Sequence, residues 1–157
     1  MILIDNTVLS NFALVGSLRS VRRFCRGRGL TTRAVYQEFQ AGVEKRVFQD
    51  TNLSWLRLTH LRNQPEKQRF IRYHRRLGAG EASCLAVASS RGHSLLTDDM
   101  MARKEAYRSG IVVSGSLGVL VALIRNGDLT LVEGNALLQV FLTTGYFSPI
   151  NRLDDLI

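Results

Sequence analysis

The chain opens on four consecutive apolar residues, Met1-Ile2-Leu3-Ile4, that run directly into Asp5 and then into Val8, Leu9, Phe12 and Val15 at helical spacing. An apolar run without alternation is what a strand covered on both faces looks like, and the change to a repeat of three and four marks a helix behind it. The same exchange recurs along the chain. A helix from about Thr7 breaks near Gly16, and a second helical stretch runs from Ser17 to about Arg26, before the turn Gly27-Arg28-Gly29. Leu30-Thr31 is a short extended piece. From Thr31 or Thr32 a helix carries Val35, Phe39, Val43 and Phe48. Trp55 to Leu58 reads as a strand and Pro65 to Leu77 as a helix with proline in its first turn. Gly78-Ala79-Gly80-Glu81 then opens a helix rich in Ala and Ser, with Cys84 among them, small enough to lie close against a sheet. His93 to Leu96 is the next strand, Thr97-Asp98-Asp99 its carboxyl end, and Met100 to Arg108 its helix. Ile111 to Val113 is a further strand, followed by helices over Ser114 to Ile124 and Thr130 to about Thr144. Strands separated by helices in this rhythm predict an α/β fold, a three-layer α/β/α sandwich with a mostly parallel central sheet, in a single domain over residues 1–157.

Ligands of such sheets gather outside the carboxyl ends of the strands, which gives the positions of the acids their meaning. Two strands end in acids, at Asp5 and at Asp98-Asp99, and two helices present acids near their starts, Glu38 and Glu81. Asp5 alone reads as readily as the N-cap of the following helix. A set of converging carboxylates is a different matter, because like charges at close range repel, and a hard divalent cation with oxygen ligands is their natural partner. Other chemistries lack their motifs. There is no GxxxxGK[ST] phosphate loop, no GxGxxG after a strand and no GxSxG. Cys25 and Cys84 lie far apart without zinc spacing, and His60, His74 and His93 are scattered.

Charge adds a partner. The net charge is +8, and it is uneven: residues 1–124 hold 19 Lys and Arg against 9 Asp and Glu, whereas the remainder holds 2 against 4. Two segments carry most of the excess, Arg19, Arg22, Arg23, Arg26 and Arg28, then Arg62, Lys67, Arg69, Arg72, Arg75 and Arg76. Arginine forks suit phosphate, so the basic part points to nucleic acid, although either run could instead be a solvated helix face. No apolar run approaches the roughly 20 residues that cross a bilayer, and no basic leader precedes the first strand, so a cytoplasmic protein without membrane contact is expected.

At this point the chain resembles the PIN-domain ribonucleases, including the toxins of toxin–antitoxin pairs. The resemblance rests on Ile4-Asp5-Asn6-Thr7-Val8-Leu9, Val35-Tyr36-Gln37-Glu38, Gly80-Glu81-Ala82 and Leu95-Leu96-Thr97-Asp98-Asp99, in that order and over nearly the whole chain. It implies a metal-dependent endoribonuclease in which Asp5, Glu81 and Asp99 hold Mg²⁺ or Mn²⁺, Glu38 serves as a further acid, and Thr7 and Thr97 hold the ligands in place. The chain departs from the pattern at Met101, where many relatives carry another acid. Either Asp98 substitutes for it or a second ion is held weakly, and the choice between one ion and two stays open. Arginines, among them Arg69, Arg72, Arg75 and Arg76, are expected to position the RNA backbone; spacings of three and four put Arg69, Arg72 and Arg76 on one helical face. A PIN-like module that binds RNA or protein without cleaving it is the alternative, and a phosphatase of another Asp-strand family stands last, because Thr7 occupies the place of its second Asp. An antitoxin is a possible partner by the same resemblance. The helices holding Leu117 to Ile124 and Leu137 to Leu142 are apolar nearly all round, which predicts a homodimer interface, the alternative being burial on all sides within the monomer.

Overall fold

The computed structural model describes residues 1–46 and 48–157. Five strands form one sheet: β1 (Ile2–Ile4), β2 (Gly29–Thr32), β3 (Arg57–Thr59), β4 (Ser94–Leu96) and β5 (Val113–Ser114). Their spatial order is β3-β2-β1-β4-β5 and every neighbouring pair is parallel. The chain therefore winds outward from β1 to β3, then crosses back to lay β4 on the other side of β1. The carboxyl ends of β1 and β4 flank the point where the winding reverses, the place where open sheets of this kind leave a crevice. Asp5 follows β1, and Thr97, Asp98 and Asp99 follow β4, so the topology alone puts these acids beside one another.

The helices are α1 (Asn6–Leu14), α2 (Leu18–Cys25), α3 (Arg33–Lys45), α4 (Gln64–His74), α5 (Ala79–Arg91), α6 (Met100–Arg108), α7 (Ser116–Arg125) and α8 (Leu131–Thr143). α5 packs against α4, α3 and α6, whereas α2 packs against α1 and α7, and α7 against α8, giving the three-layer α/β/α arrangement. α3 touches both α1 and α5, so Glu38 arrives between the two layers. The small residues of α5 are used as expected: Gly80 through Ala88 are buried apart from Glu81, and the helix lies on β1, β2 and β4. Phe12 of α1 meets Phe141 of α8 edge to face, with centroids 4.9 Å apart.

Several boundaries differ from the sequence reading. The strand placed at Trp55 to Leu58 is Arg57–Thr59, because Trp55 is spent in a turn where its indole N–H donates to Asn52 O at 3.0 Å. α3 ends at Lys45, and Phe48 comes back from beyond that end to stack on Phe39. α4 ends at His74, so Arg75 and Arg76 leave the helix as the chain turns back onto Tyr73 O, and no single helical face carries Arg69, Arg72 and Arg76. α7 starts from Gly115, and neither serine caps it with its own side chain. The apolar surplus of α7 and α8 is largely interior: Val119, Leu120, Leu123, Leu138 and Phe141 are buried within the chain, which leaves Val132 and Val140 of α8 in solvent.

Candidate active site at the reversal of the sheet

Asp5 stands at the N-cap of α1, yet its side chain accepts no capping hydrogen bond. Its carboxylate is almost wholly buried, at 1 % exposure, and Oδ2 accepts from the hydroxyls of Thr7 at 2.8 Å and Thr97 at 2.9 Å. Oδ1 is buried and has no hydrogen-bond partner. A buried oxygen without a full hydrogen bond costs free energy, which leaves Oδ1 open to a ligand. Burial is the main influence on the group and raises its pKa, against the lowering effect of the Thr7 and Thr97 hydroxyls and of the backbone N–H groups of Asn6 and Thr7.

The threonines tie the two strand ends together. Thr7 Oγ1 accepts from Asp98 N at 3.0 Å and Thr97 Oγ1 accepts from Asp99 N at 3.1 Å, so each hydroxyl receives a backbone proton from the β4 end and directs its own onto Asp5.

Three more acids lie around Asp5. Glu38 Oε1 accepts from Gly80 N at 2.9 Å, the first turn of α5 thus fixing a side chain of α3. Glu81 lies in that first turn. Asp99 caps α6, its Oδ1 accepting from Ala102 N at 2.7 Å. Burial raises the pKa of Glu38 and of Glu81, and the charge of Asp5 raises both further; Glu38 and Asp99 add to the effect on Glu81. The acids therefore feel one another as a cluster, although among the described residues no three His, Cys, Asp or Glu side chains lie close enough to make a ready coordination shell. Glu38 and Asp99 each give one oxygen to a backbone amide, and Asp5 gives one to its threonines. Each keeps a second oxygen free of those bonds, a donor set that fits a hard divalent ion.

Asp98 is placed differently. Its Oδ1 accepts from Ser116 N at 2.8 Å and its Oδ2 from Asn11 Nδ2 at 2.9 Å and from the Ser116 hydroxyl, so it caps α7 from across the sheet. Tyr146 O–H adds a long contact at 3.5 Å. Both oxygens are engaged toward α7, and Asp98 is not offered as the substitute for an acid at Met101.

The adjoining crevice has a volume of about 650 Å³ and is lined by Glu38, Asp98 and Asp99 together with Lys45, Arg46, Met100 and Phe147. Phe147 is 87 % exposed. Sequence reasoning passed over Lys45, Arg46 and Phe147; only their nearness to helix ends could have marked them. Arg72, Arg75 and Arg76 surround a separate shallow hollow of about 270 Å³ with Arg108 and Glu105. Arg69 points elsewhere and donates to Ser90 Oγ at 2.6 Å.

The open parallel sheet thus gathers a buried Asp5 and three partly exposed acids at its point of reversal. The family model that matches the chain is that of a PIN domain, over residues 1–157, and the chain belongs to the PIN-domain family. PIN domains are generally nucleases and typically use divalent metals. No curated protein and no solved structure matches the chain. Among the described residues no helix is long and apolar enough to cross a membrane.

Proposed function

We propose that the protein is an endoribonuclease dependent on Mg²⁺ or Mn²⁺, acting in the cytoplasm as the toxin of a toxin–antitoxin pair. The observation that carries the nuclease reading is Asp5 Oδ1, buried without a partner among three further acids. Asp5, Glu81 and Asp99 would hold the ion, with Glu38 contributing through the oxygen left free by Gly80. The bound ion would supply Lewis acidity at a phosphodiester and a more acidic water. The chain's own work is placement: Thr7 and Thr97 fix Asp5, Lys45 and Arg46 attract the strand entering the crevice, and Phe147 offers a face on which a base can stack. The test is cleavage of a labelled RNA with Mg²⁺ or Mn²⁺ against the same mixture with chelator; equal cleavage in both would refute metal dependence. The rival, a PIN-like module that binds without cutting, draws on the lack of a ready shell among the described residues. Metal titration followed by calorimetry separates the two, since the rival predicts no uptake at this site.

Gly80 gives a second handle. A Cβ at this position would collide with the Glu38 carboxylate. Gly80→Ala is therefore expected to displace Glu38 and lower cleavage about tenfold or more, the usual scale for groups that orient metal ligands, with circular dichroism unchanged. Parent-like rates would remove Glu38 from the mechanism.

The RNA-binding role of the second basic segment narrows to its exposed members. Replacing Arg72, Arg75 and Arg76 with Gln is expected to flatten the plot of log affinity against log salt by about 2 units, at roughly 0.7 per single-strand phosphate released. An unchanged slope would give this face to solvent. A homodimer also belongs to this reading, and its face would use Val132 and Val140, because Leu120 and Phe141 are enclosed in the chain. Light scattering at micromolar concentration checks it, and a monomer mass would retire the dimer.

A further inference from the structure

A wide groove lies at the other end of the sheet from the acids. It has a volume of about 930 Å³ and is bordered by Gly27 and Trp55, each two residues before a strand begins, and by the turn that leaves α7. Its floor is apolar, made by Leu123, Leu129, Leu137 and the partly exposed Trp55. Its rim is arginine. Arg19, Arg22, Arg23 and Arg26 follow one another at spacings of three, one and three, so α2 and its C-cap present them along one face, and all four are exposed. Asp128 stands 3.9 Å from Arg23 and 3.5 Å from Arg26, both long ion pairs at exposed guanidinium groups. Glu133 is taken up in the capping box with Thr130. Arg19 and Arg22 have no ion-pair partner among the described residues.

We propose that this groove is a docking site for an acidic amphipathic segment of a partner protein, with its apolar side chains on the leucine floor and its carboxylates on the arginines of α2. An amphipathic helix laid in a groove is recognised in this way: apolar anchors give affinity, and complementary charge gives register and rate. The arginines call for an anionic occupant, and the apolar floor decides its kind. A nucleic acid strand would bring phosphates to the arginines, but it would lay its sugars on leucine. The one aromatic ring available for stacking, Trp55, is partly covered and held by its bond to Asn52 O. A second copy of this chain has its own acidic run at Asp154-Asp155, but Asp154 is committed to Arg152 and Asn135. The arginines that looked on sequence like part of the RNA surface are thus placed for a different ligand.

Trp55 is the only tryptophan in the chain and lines the groove, so its emission reports on occupancy. A displayed library of random peptides is selected against the full chain, and the enriched peptides are titrated by Trp55 fluorescence. The selected sequences should pair Asp or Glu with Leu, Ile or Phe, shift the Trp55 emission, and bind more weakly as salt rises. Arg19→Gln with Arg22→Gln should weaken them about tenfold, on the scale of one or two charge pairs. Both side chains are exposed, so the variant should keep its circular dichroism and its melting point. Enrichment of peptides without acids, an unchanged Trp55 emission, or equal binding by the variant would overturn the proposal. So would an oligouridine strand that shifts the emission and displaces the peptide, which would assign the groove to RNA. A shift that appears on concentrating the protein alone would assign it to a second copy.

Discussion

Asp5→Asn is expected to abolish RNA cleavage and, in metal-free buffer, to raise the melting temperature by about 3 °C, the shift that roughly 1 kcal/mol produces in a chain of this size. Both effects come from one geometry. The Asn oxygen can take the place of Oδ2 and keep the bonds from Thr7 and Thr97, while the amide takes the place of the unpartnered Oδ1. A buried charge is removed from among Glu38, Glu81 and Asp99, whose own ionisation that charge opposes at Glu38 and Glu81. Because burial raises the folded pKa of Asp5, the folded parent binds this proton more tightly than the unfolded chain does. Its stability relative to the variant is then greatest in acid and is lost as pH rises through the folded pKa, so the gap in melting temperature should open toward neutral pH. Mg²⁺ or Mn²⁺ should reverse the order by stabilising the parent alone, since a ligand that binds only the folded state raises its stability. A variant that melts below the metal-free parent would sink the burial argument, and one that cuts RNA at the parent's rate would place the activity elsewhere. A residue that costs stability and carries function is what a site shaped for a ligand should show.

The sheet and the acids at its reversal were legible because both depend on short-range pattern. β1 and β4 carry apolar runs, each acid sits one to three residues beyond one of them or in the first turns of a helix, and parallel winding does the rest. What the pattern could not show is where the second oxygen of each acid goes. Asp5 and Asp99 look alike on sequence, yet Asp99 caps its helix and Asp5 does not, because two threonines compete for the Asp5 carboxylate. Asp98 was read as a metal ligand in reserve, but α7 starts at a glycine with no side chain to cap it and takes its cap from Asp98 instead. The arginines of α2 and α4 were indistinguishable as charge runs, and only the winding of the chain puts the first set at the amino ends of the strands. The surplus of apolar residues on α7 and α8 could not be assigned from periodicity, since a helix enclosed by α1, α2 and the sheet has the same composition as one covered by a second chain.

Glu66 was not singled out by any local signal, since its partner lies 25 residues further along the chain, and its replacement should nonetheless be among the most damaging changes to the fold. Its side chain is 2 % exposed and forms a two-pronged pair with Arg91, Oε1 at 2.7 Å from Nε and Oε2 at 2.9 Å from Nη2. Arg91 also donates to Thr59 Oγ1 and His60 O, each at 2.8 Å, and Arg62 N donates to Glu66 Oε2 at 2.7 Å. One ion pair therefore fastens α4 and the end of α5 to the edge strand β3. Glu66→Ala would leave the largely buried guanidinium without its counter-charge, and removing one partner of such a pair costs about 3–5 kcal/mol, or roughly 10 °C in melting temperature. The bond from Arg91 is the main influence that holds the Glu66 carboxyl below its ordinary value. This stabilisation is present above the pKa of the unfolded chain and is lost as pH falls through the lower folded value, so in acid the parent should fall toward the Glu66→Ala variant, whereas it should rise toward the Asp5→Asn variant there. Replacing both partners, as in Glu66→Leu with Arg91→Met, should recover most of the loss, because the cost lies in the stranded charge more than in the missing bond. Chemical denaturation of the three variants checks the account: a loss below about 1 kcal/mol for Glu66→Ala would mean that solvent reaches Arg91 freely, and a double variant no better than the single would show that the pair sets the geometry of the β3 edge.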